Sequence, residues 1–326
     1  MDYNRLGKTG LLVSELCLGT MTFGNEADEK TSQELMEAAL EAGINFFDAA
    51  HNYNRGKTEE IVGRWIGPHR DQIILTSKVF FPAGGGMNDE GMSRRNLIRS
   101  VEKSLQRLQT DYLDIVYLHH WDDNAAIEQS MAAMNTLVEQ GKVHYVGVSN
   151  FSAWQTMRAQ AIAEQRNYAP ISVVQPMYSL VKRQVEVEIL PMAEYEGFAV
   201  VPYNALGAGL LTGKYLEGGT GRLDEAAMYK QRYDNAQYVE ITKKFVAHAK
   251  EKGVSPAALA LAWVNSHPLV NSAIFGARNL DQFKNTLTCL DHKLSLEERR
   301  AVTALSVDPP RATDRESMDA MKQRGW

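Results

Sequence analysis

The sequence has little cysteine and no excess of positive charge. Only two cysteines occur among its 326 residues, each isolated in its segment, which excludes a disulfide-stapled fold and a cysteine-based zinc module. Lysine and arginine total 35 against 40 aspartates and glutamates, for a net charge of −5. Because no broad positive surface can form from this balance, we do not expect a nucleic acid partner.

Long apolar segments are absent as well. No uninterrupted apolar run approaches the length of a bilayer-spanning helix, and the polar residues 1–10 are unlike a secretion signal. These absences predict a cytoplasmic protein with no membrane partner. The remaining composition, with 44% hydrophobic and 23% charged residues, is that of a globular chain and excludes disorder and coiled coil.

What the sequence does contain is a regular alternation of short apolar runs and amphipathic segments. Gly43, Gly141 and Gly197 each end a helical pattern just before an apolar run, as glycine commonly does because it lacks a Cβ. Eight such runs are short and nearly continuous, which is typical of strands buried on both faces. They are residues 16–19, 44–48, 73–78, 113–118, 143–148, 173–177, 198–201 and 272–275.

Helical patterns separate these runs. They cover residues 31–42, 59–66, 93–108, 127–139, 153–164, 186–196, 238–252 and 280–287. Strict alternation indicates a parallel sheet, and eight units in this length favour a closed (β/α)₈ TIM barrel. A Rossmann domain is not expected, because no G-x-G-x-x-G follows the first strand.

Additions to the barrel are expected at both ends of the chain. Residues 3–14 predict a hairpin under the barrel, and Ser255-Pro256 and a capping box at Ser295 begin further helices before a C-terminal tail. Residues 204–237 are rich in glycine and predict a long binding loop, and the tail after Pro310 could close a pocket or form an interface. No linker divides the chain, so residues 1–326 are expected to form a single domain.

Reactive side chains fall at the carboxyl ends of the predicted strands, where barrels of this kind carry their sites. Asp48, Lys78 and His119 end strands, and Tyr53 follows shortly after the first. An ammonium such as Lys78 lowers the pKa of a nearby phenol such as Tyr53 from its ordinary value of about 10. A carboxylate such as Asp48 offsets the cost of burying that ammonium, and a histidine such as His119 can orient a carbonyl. Such a set protonates a developing alkoxide but supplies no hydride, so it predicts a cofactor.

Several short motifs follow one another along nearly the whole chain. They include Phe47-Asp48-Ala49-Ala50-His51-Asn52-Tyr53, Thr76-Ser77-Lys78, Gly147-Val148-Ser149-Asn150-Phe151, Gln175-Pro176-Met177-Tyr178, Gly209-Leu210-Leu211-Thr212-Gly213-Lys214-Tyr215 and Gly276-Ala277-Arg278. In this order they resemble the aldo-keto reductase superfamily. The Gly209–Tyr215 element is similar to the bacterial branch that includes the potassium-channel beta subunits.

The resemblance implies a catalytic tetrad of Asp48, Tyr53, Lys78 and His119. Tyr53 would be the general acid in reduction, Lys78 and Asp48 would tune it, and His119 would orient the carbonyl. The neighbouring His120 competes for the last role. Spacing from Tyr112-Leu113-Asp114 favours His119, and we expect His120 to support the site from behind or to pack, because successive strand residues point oppositely.

The resemblance also implies an NADPH cofactor, with NADH less expected. Arg278 is the candidate for the 2′-phosphate because guanidinium matches phosphate geometry. The family often has Glu-Asn facing the adenine where this chain has Asn285-Thr286. The expected cofactor residues are Ser149, Asn150, Gln175, Tyr203, Leu206, Lys214, Gly276, Arg278, Gln282 and Asn285, and the expected apolar substrate contacts are Phe23, Phe80 and Trp121.

The function predicted from the sequence is reduction of aldehydes, ketones or sugars to alcohols. One alternative is a nicotinamide-binding regulatory or redox-sensing subunit with little turnover, and another is an alcohol or sugar dehydrogenase. A metal-dependent hydrolase using His51, His119, His120 and Asp122 is disfavoured, because Lys78 would repel a cation. The oligomeric state stays open.

Overall fold

The computed structural model describes residues 1–311, in which eight parallel strands form a barrel. The antiparallel hairpin strands are β1 (Tyr3–Arg5) and β2 (Leu12–Ser14), and the barrel strands are β3 (Leu16–Gly19), β4 (Phe46–Asp48), β5 (Ile74–Val79), β6 (Leu113–Leu118), β7 (Val143–Ser149), β8 (Ile171–Gln175), β9 (Ala199–Val200) and β10 (Ala273–Phe275). Successive strands from β3 to β9 pair in parallel, and β10 pairs with β3. Backbone hydrogen bonds of 2.9 Å from Asn271 to Val200 and from Ile274 to Pro202 join β9 to β10, which closes the circle.

Helices alternate with the strands, so the (β/α)₈ barrel predicted from the sequence is confirmed. They are α1 (Glu29–Glu41), α2 (Lys57–Ile66), α3 (Arg94–Leu108), α4 (Ile127–Glu139), α5 (Ala153–Arg166), α6 (Ile189–Glu196), α7 (Arg222–Glu225), α8 (Ala227–Tyr233), α9 (Ala236–Glu251), α10 (Pro256–Asn265), α11 (Leu280–Leu287) and α12 (Leu296–Thr303). The helix α12 begins at the predicted capping box, in which Ser295 and Glu298 bond to each other's backbone N–H.

The barrel interior holds its own apolar cluster, separate from the core between strands and helices. Leu6 and Val13 of the hairpin join it at the amino ends of the strands, and both are fully buried. Farther up the barrel, the ring of Tyr117 fills the space beside Gly147, where an added Cβ would lie 2.4 Å from its Cδ1. The predicted hairpin is therefore confirmed as a plug at the base, and the interior is packed up to the layer of polar strand ends.

The segment from residue 204 to 237 differs from the predicted loop. It contains two 3₁₀ turns and the short helices α7 and α8, and Tyr233 at the end of α8 is 3% exposed. Burial of that aromatic side chain gives the segment an anchor that a glycine-rich composition does not reveal. The predicted helix over residues 186–196 begins later, at Ile189, because Gln184–Glu186 forms a 3₁₀ turn.

The C-terminal tail, predicted to close a pocket or form an interface, consists almost entirely of residues 312–326, which lie outside the described part of the chain. In residues 1–311, no helix combines the length and apolar character that crossing a bilayer demands.

Candidate active site

A buried lysine is the centre of the polar layer at the carboxyl end of the barrel. Lys78 on β5 is 1% exposed, and its Nζ donates to Asp48 Oδ2 at 2.5 Å, to the Ala49 carbonyl oxygen at 2.9 Å and to the Tyr53 hydroxyl at 3.0 Å. Thr76, which pairs with Asp48 across β4 and β5, donates its hydroxyl to the other carboxylate oxygen at 3.0 Å. The structure thus joins carboxylate, ammonium and phenol in one chain of contacts.

Burial and charge together determine whether Lys78 and Tyr53 hold protons. Burial acts to lower the pKa of Lys78, but the Asp48 carboxylate and the Tyr53 hydroxyl together outweigh it and the pKa is raised, so the ammonium persists. Burial raises the pKa of Tyr53, and Lys78 opposes that rise without overcoming it. This corrects the predicted direction for Tyr53, because removing water from the phenolate costs more than the ammonium returns. The hydroxyl is therefore protonated at neutral pH.

The turn that carries Tyr53 has an unusual backbone. Asn54, Arg55 and Gly56 have φ angles of 47°, 57° and 91°, a left-handed sequence that is costly for the two non-glycine residues. Asn54 Nδ2 donates to the carbonyl oxygen of Phe23 at 2.7 Å, which ties the turn to the loop after β3. Phe23 itself is fully buried, so it lies in the core and not at the predicted substrate surface.

A neutral histidine stands beside the phenol. The rings of His119 and Tyr53 lie edge to face, with centroids 6.3 Å apart. Burial, and then the charge of Lys78, hold the pKa of His119 well below its ordinary value. His120 also lines the cavity, which differs from the packing role expected for it, and its Nδ1 lies 2.8 Å from the Trp121 carbonyl oxygen.

A cavity of about 900 Å³ opens over these groups and runs to the start of α11. Asp48, Tyr53 and His119 line one end, while Lys78 lies directly beneath it. All ten residues expected to bind a cofactor lie in its wall: Ser149, Asn150, Gln175, Tyr203, Leu206, Lys214, Gly276, Arg278, Gln282 and Asn285. The structure therefore brings the predicted catalytic and cofactor residues to one continuous site.

Amide and hydroxyl groups form a linked set near the phenol. Tyr203 donates its hydroxyl to Asn150 Oδ1 at 2.6 Å, and Asn150 Nδ2 donates to Ser149 Oγ at 3.1 Å. Gln175 Nε2 donates to Asp48 Oδ1 at 2.8 Å. The amide of Gln175 thus supports the buried carboxylate, a contact that the sequence did not indicate.

The far end of the cavity is basic and crossed by ion pairs. Arg278 Nη2 contacts Glu225 on α7 at 3.0 Å and Glu26 after β3 at 3.5 Å, and Arg222 lies 3.9 Å from Glu26. Among residues 1–311, no carboxylate oxygen lies within 4.0 Å of the Lys214 ammonium. Burial lowers the pKa of Lys214, and the charge of Arg278 lowers it further. Because Lys214 forms no ion pair within the described residues, its ammonium is available to an anion.

The structure does not place the two other expected apolar substrate contacts, Phe80 and Trp121, at the cavity. Phe80 packs with Phe81 at 4.9 Å between ring centroids, and Trp121 packs against Trp154 at 5.3 Å; of these four rings only Phe81 reaches the cavity wall. Phe80 and Trp121 therefore lie outside the cavity wall, where both stay partly exposed and contact neighbouring aromatic rings.

Sequence reasoning missed the residues that α8 contributes. Met228, Tyr229 and Arg232 all line the cavity. Arg232 follows Tyr229 by three residues and Met228 by four, so the three side chains lie on one helix face. The glycine-rich composition of residues 204–237 predicts a loop and hides this short helical spacing.

The four residues of the metal-hydrolase alternative do not converge. His51 Nδ1 lies 3.4 Å from Arg107 Nη1, and Asp122 Oδ2 accepts from the backbone N–H of Met92 at 2.7 Å. Over residues 1–311, no group of three or more His, Cys, Asp or Glu side chains is arranged to hold a metal ion.

The chain has the barrel, the polar strand ends and the cavity of a (β/α)₈-barrel oxidoreductase. It belongs to the aldo/keto reductase family. The model of the Aldo/keto reductase family matches residues 15–307. The expected resemblance is therefore confirmed at the level of the family.

Individual relatives cover almost the entire chain. YrpG of Bacillus subtilis, named an uncharacterized oxidoreductase, is 38% identical over 95% of this chain and 97% of its own length. A probable voltage-gated potassium channel subunit beta of Oryza sativa is 38% identical over 89% of this chain and 92% of its own. Norsolorinic acid reductase A of Aspergillus parasiticus is 34% identical over 93% and 80%.

Proposed function

We propose that this protein is an NADPH-dependent oxidoreductase that reduces aldehydes or ketones, among them small carbonyl compounds and sugars, to alcohols. The observation that carries the proposal is the 3.0 Å contact between Lys78 Nζ and the Tyr53 hydroxyl at the end of a cavity lined by every expected cofactor residue. Family membership and relatives named as oxidoreductases support it.

The residues present fit a phosphorylated dinucleotide. A cavity of about 900 Å³ lies near the upper end of the ~300–1,000 Å³ usual for ligand sites. Ser149 and Asn150 would bond the nicotinamide carboxamide, and Tyr203 would stack on its ring. Lys214 would contact the pyrophosphate and Arg278 the 2′-phosphate, next to the amino end of α11. When bound, the cofactor supplies the hydride.

The protein's own groups would manage the proton. Tyr53 donates its hydroxyl proton to the alkoxide oxygen as charge develops there, and the ammonium of Lys78 stabilises the phenolate left behind. Asp48 keeps Lys78 charged. His119, neutral at physiological pH, directs the carbonyl oxygen toward Tyr53. In alcohol oxidation the same phenolate takes the proton back.

The experiment that tests this function is a side-by-side assay of NADPH and NADH consumption with aldehydes, ketones and sugars, together with NADP⁺ reduction by the matching alcohols. We expect turnover of at least one carbonyl class with NADPH. The similarity to proteins named as probable potassium channel beta subunits favours a second candidate, a nicotinamide-binding regulatory subunit. Tight NADPH binding without turnover in either direction would support that second candidate and contradict the first.

Arg278→Ala is expected to weaken NADPH binding much more than NADH binding. A hydrogen bond to a charged group contributes about 1.5–3 kcal/mol, which corresponds to roughly 10- to 100-fold in Kd. NADH lacks the phosphate, so its Kd should change less than about threefold by the same argument. Fluorescence titration of both cofactors measures this, with the exposed Lys230→Ala as the control. Equal losses for the two cofactors would show that Arg278 does not read the phosphate.

The pH profile of carbonyl reduction should have a basic limb only. Reduction needs protonated Tyr53, so kcat/KM falls as pH rises through its pKa, which burial places above the ordinary value of about 10. His119 stays neutral because its pKa lies well below 6.5, so it adds no limb near that pH. Measuring kcat/KM with a non-ionising aldehyde checks this. An inflection near pH 6.5 that disappears in His119→Gln would contradict the assigned protonation state.

A further inference from the structure

The helix α8 is held firmly across the cavity. Tyr233 at its carboxyl end accepts a 2.5 Å hydrogen bond from Asn204 Nδ2, and its hydroxyl lies 3.6 Å from Met177 Sδ. Near the other end, the Tyr229 hydroxyl lies 4.0 Å from Met21 Sδ in the loop after β3. These contacts attach α8 to both sides of the barrel mouth, so side chains on its inner face keep a defined position.

One of these side chains is a cation without a carboxylate. Arg232 lines the cavity with its guanidinium carbon 5.7 Å from the centre of the Tyr229 ring, and no Asp or Glu oxygen of residues 1–311 lies within 4.0 Å of it. By contrast, Arg222 and Arg278 both pair with Glu26. Arg232 is therefore the arginine of this wall whose charge is left for a ligand.

Arg232 stands at the phenol end of the cavity. Its guanidinium carbon lies 5.7 Å from the centre of the Tyr229 ring, and the Tyr229 hydroxyl approaches Met21 Sδ at 4.0 Å. The Met21 carbonyl oxygen accepts from Nδ2 of Asn54, the residue next to Tyr53, at 3.2 Å. In keeping with this position, the charge of Arg232 opposes the rise that burial causes in the pKa of Tyr203. Arg222 lies 5.9 Å from the same Tyr229 ring but pairs with Glu26. With Lys214 and Arg278 assigned to the phosphates of a dinucleotide, Arg232 is the cation left for the substrate.

We propose that the substrates are carbonyl compounds carrying an oxyanion group, a carboxylate or a phosphate, and that Arg232 binds this group while the carbonyl lies against Tyr53 and His119. Guanidinium pairs with either oxyanion through two parallel hydrogen bonds. The Tyr229 ring packs beside the guanidinium, and Met228 and Phe81 line the same cavity, so the wall offers apolar surface to the rest of the substrate. The inference rests on the proposed carbonyl reduction.

The test compares aromatic aldehydes that carry or lack an oxyanion group at the same ring position, using the enzyme with NADPH. The pair is para-carboxybenzaldehyde and its neutral methyl ester, with para-formylphenyl phosphate as the phosphate arm. Binding of each to the NADP⁺ complex is measured by calorimetry beside kcat and KM. We expect the wild type to bind one or both oxyanion aldehydes at least about tenfold more tightly than the ester, in line with a charged hydrogen bond.

Arg232→Met should remove that preference. We expect KM and Kd of the preferred oxyanion substrate to rise about 10- to 100-fold, with the ester changed less than about threefold and kcat little altered. Arg232→Lys should restore part of the affinity, and Lys230→Met on the exposed face of the same helix is the matched control. A partial recovery with lysine is not expected of a residue that only packs.

Two results would overturn the inference. One is a wild type that binds the ester as tightly as both oxyanion compounds. The other is an Arg232→Met variant whose Kd for NADPH rises while its substrate preference is kept, which would assign Arg232 to the cofactor. Failure of the proposed function would look different, because the wild type would then consume NADPH with none of these aldehydes, whether charged or neutral.

Discussion

Replacing Tyr53 with phenylalanine is expected to lower kcat for carbonyl reduction about 100- to 10,000-fold, the usual contribution of a general acid. The ring remains to fill the cavity end, and only the hydroxyl that contacts Lys78 at 3.0 Å is removed. Cofactor binding should stay within about threefold of wild type, since the loss is confined to proton transfer. Single-turnover and steady-state NADPH oxidation, with a separate cofactor titration, measure the two quantities.

A second tyrosine provides the control for loss of a phenol. Tyr145 lies at the opposite end of the barrel, where its hydroxyl donates to the Thr9 carbonyl oxygen at 2.9 Å. Tyr145→Phe removes one hydrogen bond of similar length far from the cavity, so kcat should hardly change. If Tyr53→Phe kept kcat within a few-fold of wild type, another group would have to deliver the proton, and the assignment of Tyr53 would fail.

Strand ends were the most predictable part of the site. In a parallel barrel, alternation of elements fixes where each strand stops, and all carboxyl ends meet on one face. Asp48, Lys78, Ser149 and Gln175 could therefore be placed together from the sequence, and the structure does place them together. The family motifs allowed the distant Arg278 to be predicted in the same site, whereas the hydrophobic periodicity of the sequence alone would not connect it to Tyr53.

Properties that depend on packing could not be predicted in the same way. The direction of the Tyr53 pKa follows from a balance between burial and Lys78, and the sequence shows the charge but not the burial. The aromatic rings of Phe80 and Trp121 are expected at the cavity because they follow strand ends, yet they pack against Phe81 and Trp154 outside its wall. Arg232 was missed because a helix of seven residues inside a long connection has a weak periodic signal.

Lys78→Met is expected to lower the free energy of unfolding by about 3–5 kcal/mol, the cost of leaving one partner of a buried ion pair without the other. The side chains of Lys78 and Asp48 are 1% and 5% exposed, so water cannot replace the ammonium. Thr76 and Gln175 would still donate to the Asp48 carboxylate, but neither carries a charge. Urea unfolding followed by circular dichroism measures the change.

The double variant Asp48→Asn/Lys78→Met separates stability from catalysis. Removing the carboxylate as well eliminates the uncompensated charge, so we expect most of the lost stability to return, since replacing both ends of a buried pair is often close to neutral. Activity should not return, because Tyr53 would have no ammonium to stabilise its phenolate. A double variant as unstable as Lys78→Met would mean that Lys78 contributes by packing, while one with wild-type turnover would show that the ammonium has no part in proton transfer.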